Sequence, residues 1–348
     1  MRRYSHKYWY KTISINNLQL YVSITLRVLM KLISFGIHLP MMGFVQGDAT
    51  SREHIISFAQ KAEELGYDSL SVNDHIVFRT GWIDAISSLS AIAAVTNRIK
   101  IGTSILNIVI RNPVICAKAL STIDILSAGR LFVGLGPGSS KGDYDACGVP
   151  FEDRWKRFSE ALEVIHALWN EKGEPESQLL DYDGKYYRLK GVCIDPKPYQ
   201  KPRPPIMIAS WGSEQGLRRV AKYGDGWMAS AYNITPDKFR EKWMLLLNYR
   251  REMNKDVESF ENSLMTMFGY IDNDKEKVQS MVKNVLSPAL GRSADELNNL
   301  LLFGSPDQCL KKISLLYESG VKRIHFWPIN NCLQQMEIFF KEIAQNFG

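Results

Sequence analysis

Residues 99–140 read IKIGTSILNIVIRNPVICAKALSTIDILSAGRLFVGLGPGSS. A short β-branched run ends in the small residues Gly102, Thr103 and Ser104. A segment with helical periodicity follows, and a second apolar run closes on glycines. That is strand, helix, strand, with the chemistry-capable residues at the strand ends. The tip around Gly136, Gly138 and Ser139 has two readings. It is a tight turn that needs glycine, or a place where backbone N–H groups approach a phosphate or a flat ring. Small residues followed by Ile105 at the first strand end permit a bulge against a planar ligand. A non-proline cis peptide there costs about 3–4 kcal/mol, and composition cannot reveal one.

Moving outward, the unit helix–glycine–strand recurs in AEELGYDSL (62–70), LSAGRLFVG (126–134), AKYGDGWMA (221–229) and YESGVKRIHF (317–326). Repeated αβ units with short links imply parallel strands and right-handed crossovers. A doubly wound sheet and a closed barrel both satisfy this, and the strand count decides. Apolar runs at 33–39, after Gly66, at 99–103, at 131–135, in PIMIAS, in GWMAS, at 264–271 and in RIHFWPI make eight. The expected fold is α/β, a (β/α)8 TIM barrel whose active site lies at the strand C-terminal ends. An insertion follows strand 4, with the helix DRWKRFSEALEVIHALW and a hairpin around Asp183-Gly184. A charged helical excursion over 274–302 precedes strand 8. Ser51 is placed as N-cap and Gly66 as stop of the helix between strands 1 and 2. Residues 1–30 are read as an extension outside the fold, and 31–348 as a single domain.

Composition bounds the function. The chain has 348 residues, 45% of them hydrophobic, and a formal net charge of +6. Arg2, Arg3, Lys7, Lys11 and Arg27 carry much of that charge, so neither nucleic acid nor an anionic membrane is implied as a partner. The five cysteines show no CxxC spacing, which argues against a disulfide framework or a metal site and for a reducing cytoplasm. No run is long enough to span a membrane. A small molecule is the expected partner, and a homodimer is admitted.

The strand ends collect His38, Asp74-His75, Ser104 to Asn107, Gly136 to Ser140, Ser210 to Glu214, Ser230 to Asn233 and Trp327. Loop positions at the top of a barrel carry function more often than core positions do. Asp74 and His75 are either a cap beside a solvated imidazole or a carboxylate and an imidazole converging on a ring, where His moves protons near neutral pH. His38 is read either as a substrate neighbour or as a strand-end histidine satisfied within the fold. Gly212 and Ser213 open a helix whose first-turn N–H groups could hold a phosphate; Glu214 is expected to point away. Arg79, Trp82 and Trp327 are placed in the substrate wall.

Together, AEELGYDSLSVNDH, the 99–140 segment, the DRW helix, DYDGKYYRLKG, PKPYQKPRPPIMIASWGSE and AKYGDGW resemble the luciferase-like family of flavin- and deazaflavin-dependent oxidoreductases. The ordered set covers roughly residues 31–330. The resemblance implies reduced FMN with O₂, or hydride transfer with the deazaflavin coenzyme F420, acting on a small organic substrate. It places Asp74 and His75 beside the ring and Ser104-Ile105 at its back, often with a cis peptide. Asn107 becomes a ring or ribityl contact; Gly136, Gly138, Ser139, Ser210, Gly212 and Ser213 meet the ribityl chain and phosphate. Sugar-phosphate dehydrogenases of the deazaflavin branch carry an acid after the glycine loop. Ser139 stands there, which counts against that substrate. A non-catalytic flavin-binding protein on the same barrel is the alternative. A phosphate-binding lyase or isomerase would need a Lys or paired acids that the strand ends do not offer.

Overall fold

Eight parallel strands close into a ring in the order β1 (Ser34–His38), β2 (Ser69–Val72), β3 (Lys100–Thr103), β4 (Leu131–Leu135), β7 (Ile206–Ala209), β8 (Gly226–Ser230), β9 (Glu261–Ile271) and β11 (Arg323–Pro328), which returns to β1. This is a (β/α)8 barrel. The computed structural model describes residues 33–41, 51–78, 81–170 and 179–347; the extension read at 1–30, and Arg79, lie outside them.

The strands are buried on both faces, as apolar runs covered by helices must be. Helices follow from caps as well as periodicity. Ser51 Oγ accepts from the His54 N–H at 3.1 Å to start the helix Arg52–Leu65. Gly66 ends it at φ 95°, sending its N–H back to the Ala62 and Glu63 carbonyls. Gly129 and Gly320 turn similarly in two further repeats, whereas Gly224 in the fourth does not, with φ −93°. Between strands and helices lies the main apolar core; inside the ring Phe132, Met207, Met228 and Met265 form a second. Gly134 makes that interior possible, because a Cβ there would lie 2.1 Å from the Thr103 carbonyl oxygen.

The insertion carries the expected hairpin, β5 (Leu180–Asp183) antiparallel to β6 (Arg188–Val192). The excursion is helical, as expected, but not continuous. It breaks into a helix Lys275–Ser280, a π-helical turn Met281–Leu286, short helices Ser287–Leu290 and Ala294–Leu300, and then strand β10 (Leu302–Gly304) beside the end of β9. Three residues are too few to show a period, so β10 was invisible in the sequence. The cysteines are free, no described helix is long and apolar enough to cross a membrane, and no described cluster of His, Cys, Asp and Glu could hold a metal.

Candidate functional site

The strand C-terminal ends surround a cavity of about 790 Å³. Its first wall comes from the 99–140 segment. After β3 the Ser104–Ile105 peptide is cis. The chain then rejoins β4, Leu106 donating its N–H to the Gly134 carbonyl at 2.8 Å. Ser104 and Ile105 both line the cavity. Beside them run Gly136, Pro137, Gly138 and Ser139. A Cβ at Gly136 would come within 2.9 Å of Ile105 Cδ1, so the glycine lets the two loops approach without moving that side chain.

His75 stands on the rim after β2. Its Nδ1 lies 2.7 Å from Asp143 Oδ2, and Asp143 Oδ1 accepts the N–H groups of Ile76 and Val77 at 2.9 and 2.8 Å. Burial opposes ionisation of Asp143, but the His75 contact and the two N–H bonds outweigh it and hold the carboxyl below the usual range. A carboxylate accepting at Nδ1 fixes the imidazole and leaves Nε2 for proton exchange in the cavity the ring lines. Phe78 and Trp82 pack on that ring, each with centroids 4.6 Å away. Asp143 was missed by the sequence reading; its short helix, Lys141–Ala146, follows Ser140.

Three of the expected site residues have partners within the fold. Asp74 borders the cavity, but its carboxylate turns away from His75. Arg111 grips it through Nε and Nη2 at 2.8 and 2.6 Å, and the same Nη2 reaches Asp84 at 2.6 Å. A carboxylate whose side chain is 0% exposed needs such a partner. Asn107 is buried behind the glycine loop and outside the cavity lining. Its Nδ2 donates to the Pro137 carbonyl at 2.9 Å, which Tyr144 Oη also holds. His38 lies behind the wall, stacked on Trp327 at 3.7 Å, and burial drives its pKa down to about 3. A neutral, fully buried ring there is a packing element.

Ser210 and Ser213 line the cavity; Gly212 does not, donating its N–H to Ser210 Oγ at 3.2 Å. Glu214 points away as expected, 3.1 Å from Arg218. Trp82 and Trp327 line the cavity. Tyr232, in the loop after β8, lines the cavity as a rim position; the sequence reading missed Arg154, Trp155, Met267, Phe268 and Val285, because they sit in the insertion, the excursion and apolar strand interiors.

The lining fits a flat coenzyme with an anionic tail. Ser104 Oγ, Asn73 Oδ1, Trp82 Nε1, Tyr232 Oη and Arg154 Nε are buried without a partner among the described residues. Buried polar atoms are ordinarily satisfied, so these call for a ligand that bonds them. Arg154 is the one Lys or Arg among the described lining residues, and it supplies positive charge.

The sequence model of one family, described as luciferase-like monooxygenase, matches residues 33–291. An F420-dependent glucose-6-phosphate dehydrogenase of Nocardia farcinica is 32% identical over 329 residues, covering 83% of this chain and 92% of that one. Among solved structures, the monooxygenase RslO1 from Streptomyces bottropensis superposes with a TM-score of 0.78 at 20% identity, over 91% of this chain and all of that one. An F420-dependent secondary alcohol dehydrogenase gives 0.76 at 20%, over 90% and 98%.

Proposed function

We propose, for a chain that belongs to the luciferase-like monooxygenase family, an oxidoreductase that uses the deazaflavin coenzyme F420 on a small organic substrate. The observation that carries this reading is one cavity bearing the Ser104–Ile105 wall with its unpartnered Ser104 Oγ, and His75 anchored by Asp143. When bound, the coenzyme would supply hydride transfer. Ser104 and Ile105 would back its ring, and the Gly136–Ser139 backbone, Ser210, Ser213 and Arg154 would take its chain and phosphate. His75 Nε2 gives or takes the proton that accompanies hydride at the substrate oxygen. Trp82, packed edge-on to the imidazole, would cover one side of that exchange from water.

Reduced FMN acting with O₂ is the second reading, favoured by the description of the matching family. The Asp143–His75 pair supports catalysis over flavin storage, since a mere flavin holder needs no oriented proton donor.

The test is to titrate the purified chain with oxidised deazaflavin and, separately, with reduced FMN. Saturable binding of the deazaflavin is expected; binding of reduced FMN alone, with O₂ consumption, moves the assignment to the second reading. Binding of neither defeats both. In the loaded enzyme His75→Ala should lower turnover about 10²–10⁴-fold, with coenzyme affinity nearly unchanged.

A further inference from the structure

Strand β9 reads ENSLMTMFGYI. In a regular strand alternate residues share a face, so Met265 and Met267 would point into the ring and Phe268 outward. The pairing with β11 breaks that alternation. Leu264 opposes Ile324 and Met265 opposes His325, but Phe268 then opposes Trp327. Three residues of β9 pass while β11 advances two, which is a β-bulge. Met267 sits in it at φ 57°, a conformation that residues with long side chains rarely adopt. Thr266 secures it, Oγ1 accepting the Trp327 N–H at 3.1 Å and donating to the Met267 carbonyl at 2.9 Å.

The consequence is that Met265, Met267 and Phe268 all face the cavity. Phe268 meets Trp327 at 4.8 Å and Tyr232 at 6.1 Å, and the excursion adds Val285 and Leu290. No Lys, Arg, Asp or Glu lies among the described residues that β8, β9, β11 and the excursion give to the lining. Arg292 stacks on Tyr232 but directs its guanidinium to the Tyr232 carbonyl at 2.8 Å and to Glu296 at 3.5 Å. The polar side chains on this side are the uncharged Ser230, Tyr232 and Asn284, of which Tyr232 Oη is buried without a partner among the described residues. Unusual backbone kept at a cavity wall points to function.

We infer that the bulge of β9 makes Met267 and Phe268 specificity-determining residues, building a wall for the carbon body of an uncharged, apolar substrate rather than a phosphorylated sugar. The inference rests on the oxidoreductase reading for what happens to that substrate, but not for its binding. A phosphate against this wall would lose its water without a countercharge, whereas each buried methylene should raise affinity about fourfold.

The test uses the full chain, with and without deazaflavin, and follows quenching of Trp82 and Trp327 fluorescence. The probes are 2-butanol, 2-hexanol, 2-octanol and glucose 6-phosphate. Affinity should climb about fourfold per methylene, and glucose 6-phosphate should give no saturable signal. Met267→Gly, which keeps the positive φ without a side chain, and Phe268→Leu should each flatten that climb in protein that still melts cooperatively. A flat series, tight glucose 6-phosphate binding, or a climb unchanged in both variants overturns the inference. Absence of deazaflavin binding with the climb intact would defeat the deazaflavin reading alone and leave this inference standing.

Discussion

Asp143 is worth more than its position in a six-residue helix implies. It collects two backbone N–H groups and the His75 ring, so the imidazole is aimed before any ligand arrives. Asp143→Asn keeps an acceptor but removes the charge. It should lower turnover about 10–100-fold with coenzyme affinity within a few-fold, which single-turnover kinetics and a binding titration would separate. Equal losses in both would assign Asp143 to structure alone. His75 could be singled out from its strand-end position, but its partner could not. Sixty-eight positions separate the two side chains, and nothing local marks Asp143. Arg111 was hidden in the same way. Asp74 and His75, adjacent in sequence, suggested a shared target; packing gave each carboxylate–cation or carboxylate–imidazole pair a partner from another loop.

At the level of elements, strand tips and interior glycines set the site. Gly134→Ala forces a methyl group onto the Thr103 carbonyl, which belongs to the sheet and cannot move aside. The substitution should destabilise by at least about 1–3 kcal/mol, read as a lower midpoint in urea; an unchanged midpoint would mean the barrel interior yields more easily than its packing shows. Eight strands were legible because each is an apolar run, four of them announced by a helix that ends on glycine. The cis peptide after β3 was implied by the family resemblance alone, and the β9 bulge and the π-helical turn were not legible at all. ENSLMTMFGYI is apolar on both faces, so hydrophobic alternation carries no register there. The π-helical turn places Asn284 and Val285 on the cavity, within a segment whose charge pattern spoke only of helix.

Across the whole molecule, burial of neutral histidines sets an acid limit. Burial lowers the pKa of His38 to about 3 and of His166 to about 4, and puts His325 well below its ordinary value. In each case the unfolded chain takes up the proton first. Stability is therefore complete above about pH 6.5 and falls on acidification toward the folded values, by roughly 1.4 kcal/mol per pH unit for each histidine. Melting temperatures should hold level from pH 7.5 to about 6.5 and decline from there to pH 5; a flat profile throughout would show that these rings reach water. The bulge in β9 has a consequence of another kind. The groups assigned to the coenzyme's ring wall and tail lie between residues 104 and 213, and the apolar wall lies between 228 and 327. Inheritance can thus alter diet without relearning chemistry: mutations in the later stretch of the gene can explore new molecules while the earlier stretch keeps the redox partner in place.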